Sequence, residues 1–305
     1  MTEAHIPKKA VLLLMFLSLL WGGNMVAIKL SVQGLAPVFS AAVRSVVASA
    51  CVYAWMRSRG IAAFPDRSTL WHGAAVGVLF GLEFGCIYLG LRHTLASRSA
   101  VLLYMHPFFV ALGAHFFLRG DVLHARKAGG LALAFGGIVL LFVRQWGAVT
   151  LQTLPGDALI LAAAFFWAAT TLYIKRFLPG RALPVQTLFY QLFFSIPLLF
   201  LWSALLEKRV FYGLTPGVAA SLAYQTFIVA SASYLAWFEL IHKYSVSLLS
   251  AFTFFTPVFG VLLSAALLPG DGLHPTVLAS LTLVCLGTIL VNRPQAGTAV
   301  SLRNG

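Results

Sequence analysis

The sequence predicts an all-α polytopic membrane protein: ten transmembrane helices as two inverted five-helix repeats, with both termini cytoplasmic. Three observations carry that expectation. Apolar residues make up 60% of the 305-residue chain and charged residues 10%. Soluble domains carry roughly 25% charged residues and could not hide so much apolar surface from water. Charge-poor stretches long enough to cross about 30 Å of hydrocarbon recur along the chain. The second half also repeats landmarks of the first in phase.

The segments follow from charged or Pro/Gly-rich breaks. The first, Ala10–Leu30, comes after Lys8 and Lys9. Its apolar run reaches Ile28 without interruption, too long for the core of a signal peptide, and no A-x-A site follows. It therefore reads as a span. Pro37–Met56 stops before Arg57 and Arg59. Leu70–Leu91 carries glycines at every fourth position from Gly73 to Gly85. Ser97–Leu118 and Lys127–Val143 flank a Gly-Asp pair. Gly156–Phe177, Pro184–Leu205, Pro216–Ile241, Ser245–Leu268 and Pro275–Val291 complete the set. The connections are short, which leaves no room for an inserted soluble domain. The natural division is 1–150 and 151–305.

Charge orients the segments. The net charge of +13 comes from 21 Lys+Arg against 8 Asp+Glu. The bases are scattered, with no run longer than two, which argues against nucleic acid as a partner. With the N-terminus inside, 13 bases fall in cytoplasmic segments and 5 in outer ones, Arg144 among the latter and Arg303 among the former. This is the bias that cytoplasmic loops carry. Cys51, Cys86 and Cys285 are dispersed in apolar runs. They make neither a disulfide framework nor a zinc spacing, and read as small buried hydrophobes.

A shift of 150 lays Ser97–Leu140 on Ser247–Leu290 without a gap, with 13 of 44 positions identical. Pro107 meets Pro257, Leu118-x-Gly120-Asp121 meets Leu268-x-Gly270-Asp271, His124 meets His274 and Gly137 meets Gly287. At a shift of 146 Trp21 meets Trp167 and Lys29 meets Lys175. Five spans per repeat is an odd number, so the second repeat must enter the membrane in the opposite sense. Inverted repeats with a midplane site between them are a plan of secondary transporters.

Leu20-Trp21-Gly22-Gly23-Asn24, Arg44, and the stretch from Leu91-Arg92-His93-Thr94 through Gly120-Asp121 together resemble the drug/metabolite transporter superfamily, EamA-like type. The resemblance covers nearly the whole chain and both halves. Where the family usually has Glu after the glycine, this chain has Asp121 and Asp271. The resemblance implies a basket of ten helices that moves metabolites. It looks most like bacterial exporters of aromatic and other neutral amino acids, which implies a multi-pass protein of the inner membrane.

Several residues are candidates for the site. Glu83 lies halfway along its span. A carboxylate at mid-membrane costs about 2.5–3.5 kcal/mol, so it is expected to face protein or water. At about 100° per residue it stands nearly opposite the stripe of Gly73, Gly77, Gly81 and Gly85, with His72 and Leu79 on its own face. Such a small-residue stripe favours close helix packing. Glu83 could bind a substrate ammonium or take up a proton. Pro107 and Pro257 each remove a helical hydrogen bond, to the carbonyls of Leu103 and Thr253, and paired interruptions mark a hinge or site. Tyr104 and His106 adjoin the first of them. Trp21 and Asn24 share a face with Ile28, and Trp167, Thr170 and Thr171 share one with Ile174. An aromatic ring beside a polar group suits a small amphipathic ligand, and plain helix packing is the competing reading. Tyr224, Phe227, Ser231, Tyr234 and Phe238 form a helical stripe that reads as packing, or as pore lining. Lys29 and Lys175 read as snorkelling, Arg44 as paired with a carbonyl or acid, and Glu239 as an interfacial ion pair beside His242 and Lys243.

The expected activity is transport by alternating access, with neutral and aromatic amino acids exported. Drugs, nucleobases or sugars are the alternative cargo. Anionic, phosphorylated cargo fits poorly with so few intramembrane bases. No H-E-x-x-H, G-x-S-x-G or acidic metal cluster supports an enzyme. No cofactor or metal is called for, and the partners expected are a small-molecule substrate and the lipid bilayer, with the protein a monomer.

Overall fold

The computed structural model describes residues 6–143, 151–267 and 276–293. Leu268, Gly270-Asp271 and His274 of the repeat, Pro275 of the tenth expected segment, and Arg144 and Arg303 of the charge count lie outside them. The helices are α1 (Lys8–Ser31), α2 (Pro37–Ser58), α3 (Arg67–Gly90), α4 (Ala96–Leu103), α5 (His106–Phe117), α6 (Ala125–Phe142), α7 (Leu154–Phe177), α8 (Pro184–Leu206), α9 (Pro216–Ala223), α10 (Tyr234–Lys243), α11 (Val246–Ala251), α12 (Phe255–Leu267) and α13 (Thr276–Asn292). Among the described residues nine helical stretches are long and apolar enough to cross a membrane. The fourth is α4 with α5, the eighth runs from α9 through α10, and the ninth from α11 through α12. The shorter α13, 17 residues long, completes ten. The chain is thus an all-α polytopic membrane protein.

Local chemistry sets the helix ends. Pro37, Pro184 and Pro216 open α2, α8 and α9, where a missing N–H costs nothing. Asp66 caps α3 by accepting from the Thr69 N–H at 2.8 Å, and Thr215 caps α9 by accepting from Val218. The N-terminus of α2 is capped from a distance: Glu207, just past α8, accepts from the amides of Val38 and Phe39 at 2.7 and 2.9 Å. Leu35 and Phe211 form an isolated antiparallel bridge beside it. The connection after α1 is thereby tied to the one after α8.

Glycines bring helix pairs into backbone contact. A Cβ on Gly73, Gly77, Gly81 or Gly85 would strike, in order, Tyr190, Phe194, Leu198 or Trp202 of α8. The two stripes climb together, so α3 and α8 run in the same direction. Pairing of Gly130 with Gly287, and of Gly137 with Ser280, runs in opposite order and makes α6 and α13 antiparallel. Gly22 lies against Phe259 and Gly260, and Ser18 donates to the Phe252 carbonyl, which seats α1 along the ninth span. These directions agree with ten alternating crossings.

Three spans are not plain α-helices. The fourth breaks at Tyr104 and Met105, whose amides bond to the carbonyls of Val101 and Leu102, three residues back. The ninth tightens into a 3₁₀ turn at Phe252–Phe254. A shift of 150 carries Tyr104–Met105 to 254–255, overlapping the end of this turn, and the two interruptions end two and three residues before Pro107 and Pro257. The eighth contains a ten-residue π-helix, Tyr224–Ser233, within which Ser231 Oγ bonds to the Thr226 carbonyl five residues back.

Several sequence expectations are corrected here. The wider π turn rotates less per residue, so the Tyr224–Phe238 stripe splits. Phe227 is exposed, Phe238 is buried, and Tyr224 donates to the Leu20 carbonyl. Cys51 is exposed and Cys86 and Cys285 are half-buried, because the outer face of a span needs apolar side chains as much as the interior does. Lys29 donates to Ser264 Oγ at 3.0 Å. Lys175 reaches the last carbonyls of α10, at 2.7 Å from Ile241. Both are thus tied to neighbouring helices, Lys175 as a C-cap, where snorkelling was expected. Glu239 is exposed and forms no ion pair among the described residues.

Candidate functional site

The candidate residues fall into two groups on different helices. The first surrounds a cavity of about 70 Å³ between α1, α2, α3 and the eighth span. Asn24 and Ile28 reach it from α1, Ser40 and Arg44 from α2, Phe84 and Tyr88 from α3, and Gln225 and Tyr234 from the eighth span. Trp21 stands at its edge: its indole N–H donates to Ser233 Oγ at 2.9 Å, and its ring meets Tyr234 and Trp237 edge-on. The π-helix ends at Ser233, so it sets which residues of this span turn toward α1.

Arg44 is 5% exposed, and its Nε and Nη2 find no hydrogen-bond partner among the described residues. The expected carbonyl or acid is therefore not met at these atoms. Its guanidinium instead lies 5.7 Å from the Phe84 ring centroid. Glu83, beside Phe84, is buried at 7% exposure and makes no hydrogen bond or ion pair among the described residues. Arg44 and Tyr234 line one cavity, and no ion pair joins Arg44 to Glu83 among the described residues. His72, expected on the Glu83 face, packs on α7: its ring stacks on Phe177 and bonds the Tyr173 hydroxyl at 2.8 Å.

The second group sits where the broken fourth span meets α7 and the broken ninth. The His106 ring stacks on Trp167 with centroids 3.6 Å apart and planes 12° apart. Its Nε2 lies 3.3 Å from Thr253 Oγ1. The Leu103 carbonyl, deprived of its helical donor by Pro107, lies beside the imidazole. Tyr104 meets Trp167 edge-on and packs beside Phe254. Thr170 and Thr171 are buried, with hydroxyls bonded back to the carbonyls of Phe166 and Trp167. No hydrogen bond or ring contact joins the two groups among the described residues. A larger concavity of about 410 Å³ between α5 and α7 is walled by aromatic and aliphatic side chains with Arg176, and holds none of the candidates.

Among the described residues, two buried ion pairs fasten the ends of the spans. Arg98 pairs with Asp157, which also accepts from Thr94 at 2.6 Å, joining α4 to α7. Asp121, from the Gly-Asp motif, accepts from Lys127 Nζ at 2.7 Å, from Ser245 Oγ at 2.7 Å and from both the amide and hydroxyl of Ser247. Burial pushes the Asp121 carboxyl up, but the Lys127 ammonium and the hydrogen bonds outweigh it and hold the group below its ordinary value. Burial lowers the neighbouring His124, and the charges of Lys127 and Arg126 add to the effect. Gly120 precedes Asp121 at φ +82°, a left-handed conformation that favours glycine. The Gly-Asp motif therefore serves to tie this loop to the start of the ninth span.

The EamA-like transporter family matches residues 8–143 and again 154–293. The chain belongs to that family. This EamA-like transporter is 26% identical to a probable amino-acid metabolite efflux pump of Salmonella typhimurium, over 92% of this chain and 94% of the relative. It is 27% identical to a protein of the same description from Escherichia coli, over 86% and 88%. An uncharacterized transporter of Archaeoglobus fulgidus is 26% identical over 82% and 86%. A solved crystal structure superposes with a TM-score of 0.79 over 97% of this transporter and 99% of that chain, at 18% identity, a likeness of fold.

Of the residues the sequence singles out, Asn24 and Tyr234 line the cavity and Trp21 contacts Tyr234, while Glu83 is buried next to Phe84 and is not among the lining residues. Ser40, Tyr88 and Gln225 also line it and are not foreseen from the sequence. The available signal was Arg44, a base eight residues inside its span, whose cavity these residues share.

Proposed function

We propose that this transporter exports neutral amino acids, aromatic ones among them, across the bacterial inner membrane by alternating access. The observation that carries the reading is Glu83, a buried carboxylate without a hydrogen-bond or ion-pair partner among the described residues, next in the chain to Phe84 of the cavity wall. Such a group costs free energy in the membrane unless it meets a cation, and a substrate ammonium is one. The names of the Salmonella and Escherichia relatives support the same class of cargo. The two repeats, 1–150 and 151–305, exchange shapes as the fourth and ninth spans bend at the breaks before Pro107 and Pro257. His106, Tyr104 and Trp167 pack where those spans meet, and their rearrangement opens one side as the other closes. The test is counterflow of labelled amino acid by Glu83→Gln protein in liposomes. Loss of exchange by a protein that melts like the unsubstituted one supports the assignment. Unchanged exchange removes Glu83 from the mechanism.

A further inference from the structure

We infer that Arg44 forms an anion subsite that holds the carboxylate of the transported solute, so that the protein selects carboxylic acids over their amides and over decarboxylated amines. The inference rests on the transport reading above and adds the substrate class.

A guanidinium inside a membrane span is costly unless a partner is found. Arg44 is nine-tenths buried, yet Nε and Nη2 have no hydrogen-bond partner among the described residues. Its neighbour Ser45 also has an unbonded hydroxyl. Phe84 takes the face of the cation and leaves the donor edge for another group. Arg44 lines the cavity, and among the described residues no carboxylate pairs with it. Glu83, next in the chain to Phe84, forms no pair with Arg44 among the described residues, and Glu207 is taken up by the Val38 and Phe39 amides. Nε–H and one Nη–H of arginine form the fork that binds a carboxylate through two parallel hydrogen bonds. These are the two nitrogens without partners.

The cavity size agrees. About 70 Å³ is room for about two waters at ~30 Å³ each. That suits one carboxylate group, and the remainder of the solute extends past Tyr234, in the same wall, toward Trp21. Asn24 Oδ1 is also without a partner and offers an acceptor to an N–H of the same solute. A cation from Arg44 and an acceptor from Asn24 on one cavity wall with Tyr234 complement the carboxylate and the ammonium of an amino acid.

The test uses the full chain purified in detergent and in liposomes. Ligands are compared as pairs: phenylalanine with phenylalaninamide and phenethylamine, and 3-phenylpropionate with its amide. Binding is read by thermal shift and by inhibition of counterflow. The acid of each pair is expected to bind at least about tenfold more tightly than its partner, the range expected for hydrogen bonds to a charged group. In Arg44→Gln protein the ratio should collapse to about one, and Arg44→Lys, which keeps the charge but not the fork, should fall between. If Arg44→Gln does not fold, the acid–amide comparison on unsubstituted protein still decides. Equal binding of acid and amide overturns the inference, as does an unchanged ratio in Arg44→Gln. Chloride or inorganic phosphate acting as strongly as the carboxylates also overturns it. Acid selectivity without exchange of any amino acid would sink the amino-acid reading and leave the subsite standing. Amino-acid exchange without acid selectivity would do the reverse.

Discussion

Asp121→Ala is expected to destabilise the protein by removing the acceptor at the centre of a buried network. Lys127 Nζ loses its carboxylate at 2.7 Å, and its side chain is only 5% exposed. Ser245 and Ser247 lose their shared acceptor. Breaking a buried pair by removing one partner costs about 3–5 kcal/mol, mostly because the remaining charge stays buried and uncompensated. Removing both charges avoids that penalty, so Asp121→Ala/Lys127→Met should recover most of the loss. The pH dependence has a definite sign. The folded carboxyl titrates below its unfolded value of about 3.9, since Lys127 and the serines outweigh the opposing effect of burial. Its contribution is therefore complete above the unfolded value and disappears as pH falls through the folded one. Thermal unfolding of the purified protein in detergent, from pH 3 to 7, is the assay. Asp121→Ala melting within a degree of the unsubstituted protein at pH 7 would refute the reasoning. So would a double variant no more stable than the single.

Three further outcomes follow from packing. In Gly77→Val the new Cβ would lie 2.4 Å from Phe194 Cβ, so overpacking should cost about 1–3 kcal/mol in the same melting assay. Gly129→Ala, with nothing within 4 Å of the added methyl, should instead be neutral or gain about 0.5–1 kcal/mol of helix stability. Pro107→Ala and Pro257→Ala should leave the protein folded and slow its counterflow. Exchange at the original rate would exclude a hinge at these positions.

The spans were legible because length and apolarity decide membrane crossing, and because prolines and caps such as Pro37 and Asp66 mark helix ends independently of tertiary contact. The stripe from Gly73 to Gly85 announced a close partner, though not that the partner would be Tyr190 through Trp202. The paired prolines likewise announced interruptions, which the structure puts two and three residues before them. Burial was poorly legible. Lipid is as apolar as a helix interface, so an apolar run around Cys51 carries no information about which way the side chain faces. The π-helix at Tyr224–Ser233 was invisible because no residue type requires it; only the tertiary fit of Tyr224 and Tyr234 against α1 displays it. Arg44 was visible as an anomaly, but whether a partner awaited it depended on helices far away in sequence. Glu207 reads as an ordinary loop acid, and its role as the cap of α2 follows only from how two connections meet.

We propose that this protein transports amino acids. Counterflow in liposomes, with a panel of labelled amino acids and with or without a pH gradient, tests it most directly. The account predicts that neutral amino acids exchange, aromatic ones included, and that Glu83→Gln abolishes the exchange. Failure of every amino acid to exchange through correctly folded protein would contradict it.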